Sequence, residues 1–221
     1  MNWNRWLLLP LLLALTAGLS YAVLSLPDHA PGLQEMVAVK MEVSGVSHPV
    51  TAVLLNFRGY DTLLEMVVLL LALLGVWSLG GTALRREAPP GLVLDTLARV
   101  LVPLLILVAA YLLWVGAHAP GGAFQAGAVL GASGVLLLLA GWCPRVGLMA
   151  WPLRLLLVAG PATFVVMAAL LYMFEGQLLE FPPAQAGMLI LILETAATVS
   201  IGVTLAALFL GGRPQSDKEH T

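Results

Sequence analysis

The sequence predicts an all-α membrane protein with about six transmembrane helices and both termini cytoplasmic. Three observations lead there. Apolar residues fill 60% of the 221 positions and charged residues only 10%, against about 25% charged in an ordinary soluble domain. The mean hydropathy is +0.97. A folded chain of this size still exposes a large share of its surface, and lipid is the solvent that accepts so much apolar area. Finally, the apolar residues gather into runs of roughly 20, the length a helix needs to cross the hydrocarbon core.

The runs cover residues 6–26, 62–84, 92–116, 123–142, 151–174 and 187–210. They are read as helices because a helix satisfies its own backbone N–H and C=O groups in hydrocarbon. The first run has a rival reading. Arg5, an apolar stretch and Ser20-Tyr21-Ala22 also fit a cleavable secretory signal; a retained span is the expectation adopted. The connection 27–61 begins polar, with Asp28, His29 and Glu35, and also carries Lys40, Glu42 and His48. Residues 37–43 alternate apolar and polar, which predicts a short strand. Residues 50–57 are apolar again and predict a buried loop or a short helix returning to the membrane. Arg85-Arg86-Glu87-Ala88-Pro89-Pro90-Gly91 ends the second span, since two prolines and a glycine break a helix. The chain is thereby divided into a two-span unit at 1–85, a linker at 86–91, a four-span unit at 92–212 and a cytoplasmic tail at 213–221.

The basic residues set the orientation. With the N-terminus inside, Arg5, Arg85, Arg86, Arg145, Arg154, Arg213 and Lys218 all fall on the cytoplasmic side, with Arg99 near the inner end of the third span. Lys40 and Arg58 alone fall outside.

Composition also excludes classes of function. The net charge of −2 offers no basic field to attract nucleic acid. The single cysteine, Cys143, forms no intramolecular disulfide and no four-ligand zinc or iron–sulfur site. The four histidines lack metal-ligand spacing. No cofactor is expected, and the chain is read as not an enzyme.

Ionisable groups inside a span are costly and are functional candidates by default. Glu194 stands about 10 Å into the last span, counted by helical rise, with Thr198 and Gly202 at i+4 and i+8 on the same face. It reads as a cation or proton relay, or else as a protonated or hydrogen-bonded carboxyl that ties helices together. Asp61 and Glu65 share a face at the outer end of the second span, and Arg58 lies one turn before Asp61. They read as a cation-gathering or proton-passing site, where a transient Na+ could bind, or as a helix N-cap at Asp61 with a local ion pair. Asp95 and Arg99, also i,i+4, read as an interfacial pair that anchors the third span. His118 lies in Gly116-Ala117-His118-Ala119-Pro120-Gly121-Gly122, where proline and glycines impose a tight backbone. It is a candidate proton shuttle or an ordinary loop histidine.

No lysine lies in any predicted span. So few buried charges cannot make a complete path across a bilayer, which points to one component of a larger machine. Ala123, Gly127 and Gly131 repeat at i+4 and predict a small-residue face for close helix packing.

Two stretches carry a resemblance. The run from Val50 to Glu65, with Phe57-Arg58-Gly59-Tyr60-Asp61-Thr62 at its centre, resembles the signature of the MbhE module of membrane-bound hydrogenases. That module also forms the C-terminal end of MrpA in the Mrp-type sodium/proton antiporters. Tyr60 replaces a phenylalanine and His48-Pro49 replaces the usual start. Gly116 to Gly127, with Pro120-Gly121-Gly122-Ala123-Phe124, resembles the Gly-x-x-x-Pro-Gly-Gly-Gly-Phe motif of the MnhB/MrpB family, with Ala123 in place of the third glycine. The resemblance places the family's acids on Asp61 and Glu65, and matches the span of Glu194 to a family helix that often carries an acid. It implies an MbhE-like unit at 1–85 fused to an MrpB-like unit at 92–212. The implied protein is an accessory component of the antiporter in the inner (cytoplasmic) cell membrane, multi-pass, contributing to the ion or proton path. Its implied partners are the antiporter-like MrpA and MrpD, the small MrpC, MrpE, MrpF and MrpG, and the lipid bilayer. The alternatives are the ion-translocating module of a hydrogenase-like oxidoreductase, and a purely structural spacer.

Overall fold

The computed structural model describes residues 3–26, 32–79, 91–142, 151–176 and 178–211. Residues 86–90 of the linker, the tail at 213–221, Cys143 and the basic residues Arg85, Arg86, Arg145, Arg213 and Lys218 lie outside the described residues.

Every regular element among the described residues is helical: α1 Trp3–Leu24, α2 Gln34–Lys40, α3 Pro49–Thr51, α4 Gly59–Ser78, α5 Leu92–Val115, α6 Ala123–Leu139, α7 Trp151–Glu175 and α8 Ala186–Leu210. The helices α4, α5, α7 and α8 are each long and apolar enough to cross a membrane, and α1 and α6 contain shorter apolar helices. α6 has 17 residues, about 26 Å at 1.5 Å per residue. It therefore ends short of the predicted residue 142, in a turn where Gly141 takes a positive φ of 77°.

The chain divides into two compact units, residues 1–36 and 37–221. The first holds α1, in which the Thr16 hydroxyl donates to the Leu12 carbonyl one turn back. The second is organised about α8, which packs against α4, α5, α6 and α7. Half of the most apolar window of α8 is buried within the chain, against 17% for α5. The core around it includes Met66, Phe164, Leu171, Ile190, Leu193, Ala197 and Ile201.

The predicted small-residue face of α6 is the surface that meets α8. A Cβ on Gly127 would stand 2.8 Å from the Ile201 side chain, and one on Gly131 would stand 3.0 Å from Leu205 Cβ. On the opposite side of α8, the Ser200 hydroxyl donates to the Leu157 carbonyl of α7 at 2.6 Å. That carbonyl is four residues before Pro161, and proline has no N–H to give it. Ser200 supplies the missing donor.

At the other end of α5, Arg99 Nε donates to Asp95 at 2.9 Å, and Trp142 Nε1 donates to the same carboxylate at 3.1 Å. The Arg99 guanidinium also lies over the Trp142 ring, 5.4 Å from its centre. The anchoring pair expected there is thus a three-residue cluster joining the start of α5 to the turn after α6.

The connection before α4 differs from expectation. Residues 37–43 form the end of α2 and a 3-10 turn, Met41–Val43, rather than a strand. A lone strand would leave its N–H and C=O groups without a ladder, and the described residues offer no strand to pair with; helical turns close those bonds locally. The apolar stretch at 50–57 is helical: α3 runs into a π-helical segment, Ala52–Phe57. The Thr62 hydroxyl donates to the Leu54 carbonyl at 2.7 Å and ties that segment to α4.

Candidate functional site

Glu194 is the centre of the site. It lies in the third turn of α8, in an otherwise apolar run, and is 3% exposed. Its neighbours on the buried face are Leu193, Ala197 and Thr198. The Thr198 hydroxyl turns back to the Glu194 backbone carbonyl at 2.8 Å, so it does not bond the carboxylate. The carboxylate faces the Gly122 backbone at the start of α6 instead. Ala123 is the first residue of α6, and Gly122 is its N-cap. The carboxylate therefore lies at a helix N-terminus, where unpaired N–H groups and the positive end of the helix dipole favour an anion.

The Pro-Gly-Gly loop makes this approach possible. Gly122 has φ 105° and ψ −173°, a region open essentially to glycine alone. A Cβ there would stand 2.8 Å from Glu194 Oε1 and 3.9 Å from Gln125 Oε1. Gly122 N–H donates to the Leu112 carbonyl at 2.9 Å, folding the loop back on the end of α5. Gly121 packs so closely there that a Cβ would meet the Leu112 oxygen at 2.5 Å. Of the two motif glycines, Gly122 thus lies against Glu194 and Gly121 against the end of α5. Pro120 and His118 are exposed in the same loop, and His118 N–H donates to the Val115 carbonyl at 2.9 Å.

The first motif region reaches this loop from the other side. Ser47 N–H and His48 N–H both donate to the Ala117 carbonyl, at 3.2 and 3.1 Å, and the buried Thr51 hydroxyl donates to the Gly116 carbonyl. The carbonyls of Gly116 and Ala117, just past the end of α5, are thus taken up by residues some 65 to 70 positions earlier. His48 Nδ1 is buried and makes no hydrogen bond among the described residues.

Asp61 and Glu65 fall elsewhere. Both lie in the first two turns of α4, with Asp61 partly buried and Glu65 exposed. Asp61 pairs with Arg58, whose side chain is exposed while that of Asp61 is open by 43%, so the pair adds little stability in water. Asp61 is not the N-cap. That position is Arg58, without a side-chain capping bond. α4 starts earlier, at the buried Gly59, whose Cβ direction comes 3.5 Å from the Leu179 side chain; a residue much larger than glycine would crowd that neighbour. No polar contact among the described residues joins this face to Glu194. Likewise, among the described residues no three histidine, cysteine or carboxylate side chains converge as a metal site would require.

The sequence reading passed over Thr51, Gln125 and Ser200. Gln125 alone had a local signal: it is three residues past the N-cap, the place from which a Gln or Glu side chain turns back toward a helix N-terminus. Thr51 and Ser200 bond to residues far away in sequence and have no such mark.

Known proteins were compared with this architecture. No curated protein sequence matches the chain. Two solved structures share the fold. One is a chain of the membrane-bound sulfane sulfur reductase, an archaeal respiratory membrane complex, at TM-score 0.66 and 22% identity, covering 95% of this chain and 97% of that one. The other is a chain of the Mrp complex from Dietzia sp. DQ12-45-1b, at TM-score 0.66 and 24% identity, covering 99% of this chain and 27% of that one. This chain thus spans about a quarter of the Mrp complex chain. A family model described as a domain related to the MnhB subunit of Na+/H+ antiporter matches residues 93–210. That match takes in α6, α8, the Pro-Gly-Gly loop and Glu194, more than half of the sequence, and the chain belongs to the family of MnhB-related domains.

Proposed function

We propose that this chain is an accessory membrane subunit of a multisubunit Na+/H+ antiporter of the Mrp type, in the cell membrane, and that Glu194 lies on its ion or proton path. One observation carries the reading: a carboxylate 3% exposed in the helix at the centre of the bundle, set closely against the backbone at the start of α6. A group that only ties two helices together need not be ionisable, and an ionisable group in a span is expensive to keep. Family membership supports the antiporter context. The likeness to a chain of the Mrp complex supports association with further Mrp-type subunits. On this reading the chain is a transporter subunit, not a catalytic one.

Finer parts of the proposal follow the sequence motifs. Residues 1–85 are read as the MbhE-like unit and 92–212 as the MrpB-like unit, with both termini cytoplasmic. Asp61, Glu65 and Arg58 are a second candidate place on the path, and His118 a candidate proton shuttle at its aqueous edge. The end-to-end fold match to a chain of an archaeal respiratory complex keeps one other reading in play, in which the same module is driven by electron transfer. Iron–sulfur or other redox subunits in the purified native complex would favour it.

The test is Glu194→Gln in the assembled complex, reconstituted in vesicles. Glutamine keeps the shape and an acceptor oxygen but cannot carry a proton or a charge. Sodium-driven proton flux is expected to fall at least about tenfold, a transition-state loss comparable to one charge-assisted hydrogen bond, with complex levels unchanged. Wild-type flux would leave Glu194 a structural tie.

A further inference from the structure

We infer that Thr51 is a positioning residue for the Glu194 carboxylate, acting through Gly116 and Gly122; the inference rests on Glu194 being a path residue. Helical threonines in this chain mostly spend their hydroxyl on their own helix. Thr16, Thr96, Thr163, Thr195 and Thr204 each donate to the carbonyl four residues back. Thr51 stands at the end of the short α3, 5% exposed, between His48 and the fully buried Ala52. Its hydroxyl crosses to the Gly116 carbonyl at the end of α5. The neighbouring Ala117 carbonyl is held by Ser47 and His48.

The rest of the linkage runs through two glycine backbones to the carboxylate. The Cβ direction of Gly116 points at Gly122, 2.6 Å from its nitrogen and 2.7 Å from its Cα. The Cβ direction of Gly122 in turn points at Glu194 Oε1, 2.8 Å away. No side chain lies between these backbones to absorb a displacement, because both positions are glycine. A shift of the Gly116 peptide therefore moves Gly122, and with it the backbone against which the Glu194 carboxylate rests. In this way the segment carrying the first motif sets the geometry of an acid supplied by the last helix. Thr51 touches no ion and no reacting atom; it fixes the loop that does the holding.

The experiment uses the assembled complex in vesicles with Na+ as the probe, and reads proton flux against pH and against Na+ concentration. Thr51→Val keeps the shape and removes the donor; Thr51→Ser restores it. Thr51→Val is expected to change the apparent Na+ affinity, or the proton concentration at half-maximal flux, by about two- to tenfold, the range set by one hydrogen bond. Thr51→Ser should return both toward wild type. In a Glu194→Gln background, Thr51→Val should add no further change in either, because the two groups act on one site. If Thr51→Val lowers only the amount of complex, and the pH and Na+ profiles of what assembles match wild type, Thr51 merely stabilises the fold and the inference is overturned. If Glu194→Gln alone keeps wild-type flux, the reading of Glu194 fails first, and the inference falls with it.

Discussion

An alanine at position 122 would have to hold φ at 105° and place its Cβ 2.8 Å from the Glu194 Oε1. The backbone term alone is worth about 1–3 kcal/mol, and the clash displaces either the carboxylate or the start of α6. Gly122→Ala is therefore expected to lower both the thermal stability of the purified complex and its sodium-driven proton flux. Gly75 is the matched control. It lies inside α4 with nothing within 4 Å of its Cβ direction, so Gly75→Ala should leave flux intact and be neutral or stabilising by up to about 1 kcal/mol. Equal losses in the two variants would show that the region tolerates no added methyl and would remove the special standing of Gly122. Single residues of this kind were legible in the sequence for a simple reason. A carboxylate in an apolar run and a Pro-Gly-Gly run each break the local pattern. The Thr51 donor could not be seen, because a hydroxyl among apolar neighbours fits a helix interior just as well, and its partner is 65 positions away.

Between elements, the most instructive contact is the one at Pro161. Proline in α7 leaves the Leu157 carbonyl without its intrahelical donor, and the Ser200 hydroxyl of α8 takes the place at 2.6 Å. The packing there is tight: the Cβ direction of Gly160 comes within 3.0 Å of both Ser200 Cβ and the Met66 sulfur of α4. Ser200→Ala in the wild-type chain should cost about 0.6 kcal/mol, the average for side-chain hydrogen bonds between membrane helices, and at most about 1.7 kcal/mol. In a Pro161→Ala background the restored N–H can bond Leu157, and the same Ser200→Ala change should be close to neutral. A double-mutant cycle on unfolding in detergent reads this coupling directly; additive costs would mean that the two residues act independently. Helix positions were readable from the length of the apolar runs, since hydrocarbon leaves no other choice of backbone. The connection between α1 and α4 was not. The alternation at 37–43 suggested a strand, but a period of two over seven residues says nothing about whether a neighbouring strand exists, and none does among the described residues. Helical turns win there because they need no partner.

For the molecule as a whole, the distribution of charge decides what the chain can do alone. The helices α4 to α8 contain no lysine, and Glu194 is the one acid among their described side chains that the chain itself buries. Asp61 and Glu65 stand at the start of α4, outside the Glu194 cluster and exposed to different degrees. A proton or a cation crossing about 30 Å of hydrocarbon needs polar groups along the whole way, because an ion between sites meets the full cost of desolvation. One buried acid covers one step. The surface agrees with this: α5 keeps only 17% of its apolar window buried and presents Val100, Leu104, Leu107, Tyr111 and Trp114 outward, so much of the bundle is free to meet lipid or neighbouring subunits. The chain expressed and reconstituted without partners is therefore expected to insert and fold, yet to show no sodium-driven proton exchange above empty vesicles. Co-expression with the antiporter-like subunits should restore exchange, and Glu194→Gln should remove it again. Robust exchange by the lone chain would mean that water-filled routes along its exposed faces supply the missing steps, and that it is a transporter in its own right.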